Sequence, residues 1–273
     1  VRAIRAIERW AYRNADCVAA TTPAIIDAIV DRGVERQKTF LLPNGADLEL
    51  FNPLPRENAI AGEYDFGDRF VVMYSGLFGI KHNLEVLLEA ATLLREHKDI
   101  VFFLLGNGAR KEALVNQVKA LGLTNVIFGD ERVVSDVPSL IARADVCFAA
   151  VRPEPYPKKV VSVKVFEYLA CEKPVVGALS GESARILEES GGGIVVQPGD
   201  ARGTAEAIIQ LYNDPALRQT LGEAGRRYVD EHYSRSTWAV RFGRRLKDVY
   251  WSGERDRRAI PRQTGVYDVS PAT

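Results

Sequence analysis

Lys164 and Glu167 stand three residues apart in the stretch "VSVKVFEYLACEKPVVG", residues 161–177. On a helix that spacing puts both side chains on one face, with Cys171 one turn further on. Val165, Phe166 and Leu169 then point towards a core. Ser162 is placed to cap such a helix, so Lys164 falls in its first turn. A carboxylate accepts hydrogen bonds at both oxygens, which suits it to a pair of sugar hydroxyls. The plain alternative is a surface ion pair contributing at most ~1 kcal/mol.

Three other short stretches carry groups of the same kind. In "GLFGIKHN", Gly76 and Gly79 let a backbone approach an anion, and Lys81 stands at a helix start. The ending GK[ST] of a phosphate-binding Walker loop is absent. In "GNGARKE", Gly106 and Gly108 read best as a tight strand-to-helix turn, because a third glycine and a later acid are missing. In "SGESARI", Gly181-Glu182 opens a helix, which makes Glu182 either an acid favoured by the helix dipole or a sugar-hydroxyl contact.

These stretches need a frame. From residue 68 on, "FVVMYS", "IVFFLLG", "NVIFGD", "VCFAAV", "PVVGAL" and "GIVVQP" are apolar runs separated by amphipathic segments of helical period. Continuously apolar strands are buried on both faces, as in a parallel sheet covered by helices. Strict alternation of strand and helix predicts a doubly wound α/β domain, in which ligands lie beyond the carboxyl ends of the strands. Each stretch named above follows such a strand.

Residues 1–47 are a shorter piece of the same type: helix, strand "CVAATT", helix "PAIIDAIVDRG", strand "FLLP". Four elements cannot close a domain, so they read as the remnant of one. Residues 48–67, rich in Pro, Gly, Asn and Asp, read as a linker. The α/β domain is expected over 68–213, C-terminal helices over 214–252 and a flexible tail over 253–273.

The chain has 273 residues, 47% hydrophobic and 26% charged, with Lys+Arg and Asp+Glu both 36. A net charge of zero argues against a nucleic-acid partner. Cys17, Cys147 and Cys171 are widely spaced among apolar residues, and there are only three histidines. Reduced core thiols in a cytosolic protein are expected, with no metal. No apolar run reaches the ~18 residues of a membrane span. The first helix, "VRAIRAIERWAYRNA", mixes arginines with Trp10 and Tyr12. An ordinary interdomain helix is the favoured reading, and contact with a membrane surface is the other.

Taken in order, "NGADLELFNP", "YSGLFGIKHNLEVLLEAA", "FFLLGNG", "VKVFEYLACEKPVVG" and "SGESARILEESGGGIVVQPGD" resemble the successive segments of family 4 (group 1) glycosyltransferases. The resemblance runs from residue 1 to about 250. The wording is most similar to bacterial surface-polysaccharide enzymes of the fucosaminyltransferase kind. It implies a GT-B fold of two Rossmann-like domains, the second holding a nucleotide-sugar donor, UDP-linked for choice. It implies that Glu167 binds the ribose hydroxyls and that Lys81 and Lys164 lie near the diphosphate, with Gly76 and Gly79 in the turn beside it. Gly181 and Glu182 would adjoin the sugar or phosphates, and the base would sit by Glu131, Arg132 and Val133. Transfer would retain the anomeric configuration, to a glycan or polyprenyl-linked acceptor, with no metal or cofactor.

Two positions depart from the family pattern. Its first glutamate, eight residues before the second, is Lys159 here, with Glu154 nearby but out of register; its usual arginine in the first glycine turn stands as Gly76. A GT-B nucleotide-sugar epimerase and a non-catalytic GT-B scaffold are therefore the alternative readings. With most of a first domain missing, this stretch is expected to bind nucleotide and to transfer sugar poorly.

Overall fold

A computed structural model describes residues 2–153 and 158–255. The chain forms two units, residues 1–43 with 236–273, and residues 44–235.

The first unit holds α1 (Arg2–Asn14), β1 (Val18–Ala20), α2 (Pro23–Val30) and β2 (Thr39–Leu41), with β1 and β2 paired in parallel. Thr22 caps α2, its hydroxyl accepting from the Ile25 N–H at 3.2 Å, and Pro23 opens the helix where no amide hydrogen is needed. Trp238 and Phe242 pack their rings 6.4 and 5.9 Å from that of Phe40. That contact draws the last helix, α10 (Arg235–Arg255), into this unit, whereas the sequence groups it with the helix before it. Residues 253–255 continue α10 rather than starting a tail, and 256–273 lie outside the described residues.

The second unit is a six-stranded parallel sheet. Its strands are β3 (Phe70–Ser75), β4 (Ile100–Leu105), β5 (Val126–Gly129), β6 (Val146–Ala150), β7 (Val175–Ala178) and β8 (Gly193–Val196), in the order β5-β4-β3-β6-β7-β8. The chain winds outward from β3 to β5, then returns to β6 and winds the other way. The reversal leaves a crevice at the carboxyl ends of β3 and β6. The helices are α3 (Glu85–Leu93), α4 (Lys111–Ala120), α5 (Val137–Arg143), α6 (Val163–Ala170), α7 (Glu182–Glu189), α8 (Ala201–Asn213) and α9 (Pro215–His232).

Alternate strand residues feed two cores. Val71, Met73, Val101 and Phe103 join Val165, Phe166 and Leu169 of α6 on one face. Val72, Tyr74, Phe102 and Leu104 join Leu87 and Leu88 of α3 with Ile208 and Leu211 of α8 on the other. Each fully buried Leu or Phe contributes ~1.5–3 kcal/mol, so the apolar runs themselves fix the sheet between its helices. Residues 48–67 belong to this unit: Phe51 and Phe66 are buried in its first core, while Asp47 accepts from the N–H groups of Glu49 and Leu50. A segment with two isolated aromatic anchors shows no period in the sequence. Cys147 and Cys171 are buried free thiols, but Cys17 is only half-buried, a correction to the reading of three core thiols. Among the described residues, no helix is long and apolar enough to cross a membrane.

Candidate active site

The site is built on α6 and the glycine turn after β3. Ser162 does take the cap position of α6, but its hydroxyl makes no cap hydrogen bond. Its N–H instead donates to the Ser183 hydroxyl at 3.0 Å, and that hydroxyl donates to the Val160 carbonyl at 3.2 Å. The start of α6 is thus pinned from α7. On the buried side of α6, the Tyr168 hydroxyl accepts from the Ser75 N–H at 2.8 Å, fastening the helix to the last residue of β3.

Lys164 and Glu167 consequently face a cleft of about 500 Å³ beyond the strand ends, which Ser75, Gly76, Asn107, Glu131 and Arg132 also line. The Lys164 ammonium sits 5.2 Å from the Tyr74 ring centroid, a cation–π arrangement. Gly76 has φ +128°, and a Cβ there would lie 2.6 Å from Lys164 Nζ. Glycine at 76 therefore allows both the turn and the lysine. Its carbonyl is equally close to Gly106, where φ is +136° and a Cβ would come within 2.1 Å of that oxygen. The second glycine turn, read from sequence as merely a turn, braces the first.

Burial lowers the Lys164 pKa to about 8, against Glu167, which raises it; Lys81 lowers it further. Burial raises the pKa of Glu167, and Lys164 and Arg235 oppose that rise. Arg235 Nη2 is 4.0 Å from Glu167 Oε1, and its Nε donates to the Asn44 carbonyl at 3.1 Å. Glu167 is therefore flanked by two cations. Among the described residues Lys164 has no hydrogen-bond acceptor, and its ammonium is met only by the Tyr74 ring and the charge of Glu167.

The other residues expected from the sequence divide. Glu131 and Arg132 line the cleft, while Val133 is exposed and Val134 lines it instead. Arg132 is engaged with Glu63 and the Tyr64 hydroxyl. Lys81 is exposed in the short turn Ile80–His82 and, like Gly79, does not line the cleft; its charge still reaches Lys164. Gly181 and Glu182 also lie outside the lining. The Glu182 N–H donates to the Lys158 carbonyl at 2.8 Å and its carboxylate pairs with Arg185 at 2.8 Å. Lys159 is exposed, and Glu154 lies outside the described residues. The sequence reading missed Ser75, Asn107 and Phe51. The first two end or follow strands, a signal that was present. Phe51 comes from the aperiodic segment and gave none.

A six-stranded parallel sheet flanked by helices, with a cleft at its switch point carrying an ammonium and a carboxylate, has the architecture of a Rossmann-like domain of the GT-B fold. Two solved structures share the fold. Sucrose-phosphate synthase from Thermosynechococcus elongatus superposes with a TM-score of 0.75 at 26% identity, over 90% of this chain and 61% of that one. Anabaena Alr3699/HepE, solved in complex with UDP and glucose, gives 0.76 at 22% identity, over 89% and 66%. The chain belongs to the family "Glycosyl transferases group 1", which it matches over residues 56–228, and residues 1–45 match the "Glycosyl transferase 4-like domain". Among curated relatives, the lipopolysaccharide core biosynthesis glycosyltransferase LpsE of Rhizobium meliloti (strain 1021) is 28% identical over 227 residues, 82% of this chain and 62% of LpsE. The chain spans about half the length of the curated relatives it matches.

Proposed function

We propose that the cleft binds a nucleotide-diphosphate sugar, UDP-linked, and that the whole protein transfers its sugar with retention to a glycan or polyprenyl-linked acceptor. The carrying observation is the pair on α6: a carboxylate and an ammonium one turn apart, both facing one cleft at the sheet's switch point. Glu167 is the acceptor for both ribose hydroxyls. Lys164, with the N–H groups of the turn at Gly76, takes the diphosphate. Its charge counters the negative charge that grows on the leaving diphosphate, an interaction stronger in the transition state than before it. Lys81 adds to the field from the rim, beside Gly79. The base lies along Glu131, Arg132 and Val134, the last in place of the expected Val133. Gly181 and Glu182 approach the sugar only if the Glu182–Arg185 pair opens.

The chemistry asks for no metal or cofactor, since the diphosphate's charge is met by lysine. The reading extends to a cytoplasmic enzyme of cell-surface polysaccharide synthesis that moves a hexose or an N-acetylated aminosugar; the similarity to LpsE, named for lipopolysaccharide core biosynthesis, supports the polysaccharide part alone. Calorimetric titration with UDP, GDP and UDP-sugars tests the reading. UDP should bind, and Glu167→Gln should weaken it roughly ten- to hundredfold, the loss of about 1.5–3 kcal/mol of charged hydrogen bonding. Absence of binding by every nucleotide, with Glu167→Gln indistinguishable from the parent, would leave the scaffold reading in its place.

A further inference from the structure

The first residues of "NGADLELFNP", Asn44 to Ala46, run beside residues 233–235. The Ala46 N–H donates to the Tyr233 carbonyl and the Arg235 N–H to the Ala46 carbonyl, both at 2.9 Å. Gly45 has φ +57°, and a Cβ there would come within 2.1 Å of the Tyr233 carbonyl oxygen, so only glycine allows this approach. Tyr233 packs its ring 4.6 Å from that of Phe166, the residue before Glu167. The paired segments therefore rest against α6 at the point where it carries its carboxylate.

Arg235 is the first residue of α10, where a cation meets the positive end of the helix dipole, so α10 itself gives no reason for it. Its side chain reaches back instead. Nε donates to the Asn44 carbonyl at 3.1 Å, which leaves Nη2 4.0 Å from Glu167 Oε1. Arg235 does not line the cleft. Among the described residues the Glu167 carboxylate accepts no hydrogen bond, so both oxygens are free for a ligand. The groups around it are Lys164 and the Cys171 thiol on its own helix, and Arg235 from the paired segments. Glu131 and Arg132 line the same cleft, and Arg132 is committed to Glu63 and the Tyr64 hydroxyl. A diphosphate in the cleft would draw on Lys164 and bring further negative charge towards Glu167. Arg235 is then the counter-ion that Glu167 keeps.

We propose that Arg235 is a positioning residue for the ribose subsite: anchored on the Asn44 carbonyl, it keeps the Glu167 carboxylate charged and turned to the ribose hydroxyls while Lys164 serves the diphosphate. This role rests on the donor reading above and extends it to a side chain outside the cleft.

Calorimetric titration of UDP and of 2′-deoxy-UDP into the chain, Arg235→Gln and Arg235→Lys tests it. Gln removes the charge yet can still donate to Asn44, whereas Lys keeps the charge. Arg235→Gln should weaken UDP about fivefold and 2′-deoxy-UDP no more than about twofold, because the hydroxyl contact is what suffers. Arg235→Lys should stay within about twofold of the parent. Arg235→Gln combined with Glu167→Gln should bind UDP no more weakly than Glu167→Gln alone. In ligand-free protein carrying carbon-13 at its glutamate carboxyls, the Glu167 resonance should titrate at least about half a pH unit higher in Arg235→Gln. Urea unfolding establishes that each variant folds. If the parent binds UDP but Arg235→Gln keeps its affinity or its preference over 2′-deoxy-UDP, the proposed role is overturned and the donor reading stands. An unmoved Glu167 titration, an Arg235→Lys as weak as Arg235→Gln, or an additive double variant would each assign Arg235 to the fold instead and overturn it likewise. A parent that binds no nucleotide overturns the donor reading and this role together.

Discussion

The Tyr168 hydroxyl accepts a 2.8 Å hydrogen bond from the backbone N–H of Ser75, so the helix bearing Lys164 and Glu167 is tied to the strand that ends at the glycine turn. Both residues are buried. Tyr168→Phe keeps the ring but leaves the Ser75 amide without that partner. It should cost about 1–3 kcal/mol in urea unfolding and weaken UDP binding, although residue 168 does not line the cleft. An unchanged nucleotide affinity would show that the tie does not position α6.

Gly76→Ala tests how closely the turn and the lysine share space. The new methyl would lie 2.6 Å from Lys164 Nζ, and the residue would sit at φ +128°, where L-residues are strained by about 1–3 kcal/mol. The flexible end of Lys164 must move away, and UDP affinity should fall at least about tenfold. Because both changes remove one interaction, Gly76→Ala with Lys164→Ala should be less damaging than the two single effects added together.

Lys164→Met separates stability from binding. The folded-state pKa of Lys164 is lowered from 10.5 to about 8, so above pH 8 the unfolded chain keeps a proton that the folded chain releases. Stability from this group therefore rises with pH between about 8 and 10.5. Lys164→Met should abolish that slope in melts taken across the window. The variant should also be at least as stable as the parent at neutral pH, while losing most of its UDP affinity. A clear loss of stability at pH 7 would mean the ammonium supports the fold.

The two titrations also predict a bell for nucleotide affinity. Binding needs Lys164 charged, so it should decline above about pH 8, and Glu167 ionised, so it should decline in acid, beginning above the usual carboxylate range because burial raises its pKa. Lys164→Arg should flatten the alkaline side and leave the acid side unchanged. Titrations with UDP across pH would detect both limbs.

The strand runs were legible because burial on both faces demands unbroken apolar residues, as in "IVFFLL". The order of the strands was not, since nothing in "VCFAA" states that β6 neighbours β3. Lys164 and Glu167 could be read from a spacing of three within an apolar helix. Direction was harder: Lys81 and Glu182 are the right types at the right strand ends, yet one is exposed and the other pairs with Arg185. Turn residues such as Gly106 looked generic because their importance lies in a contact with Gly76, thirty positions earlier in the chain. The capping role expected of Ser162 falls to no side chain, because Ser183 of a neighbouring helix holds that backbone instead.

The interlocked turns at Gly76 and Gly106 bear on how this scaffold can be redesigned. A side chain at Gly106 would run into the Gly76 carbonyl, and one at Gly76 would run into Lys164. Library design around this cleft should hold that pair constant and diversify Glu131 and Val134, which line it and are exposed. On the proposed donor reading, changes there should shift nucleobase preference and leave the Gly76–Lys164 contact untouched.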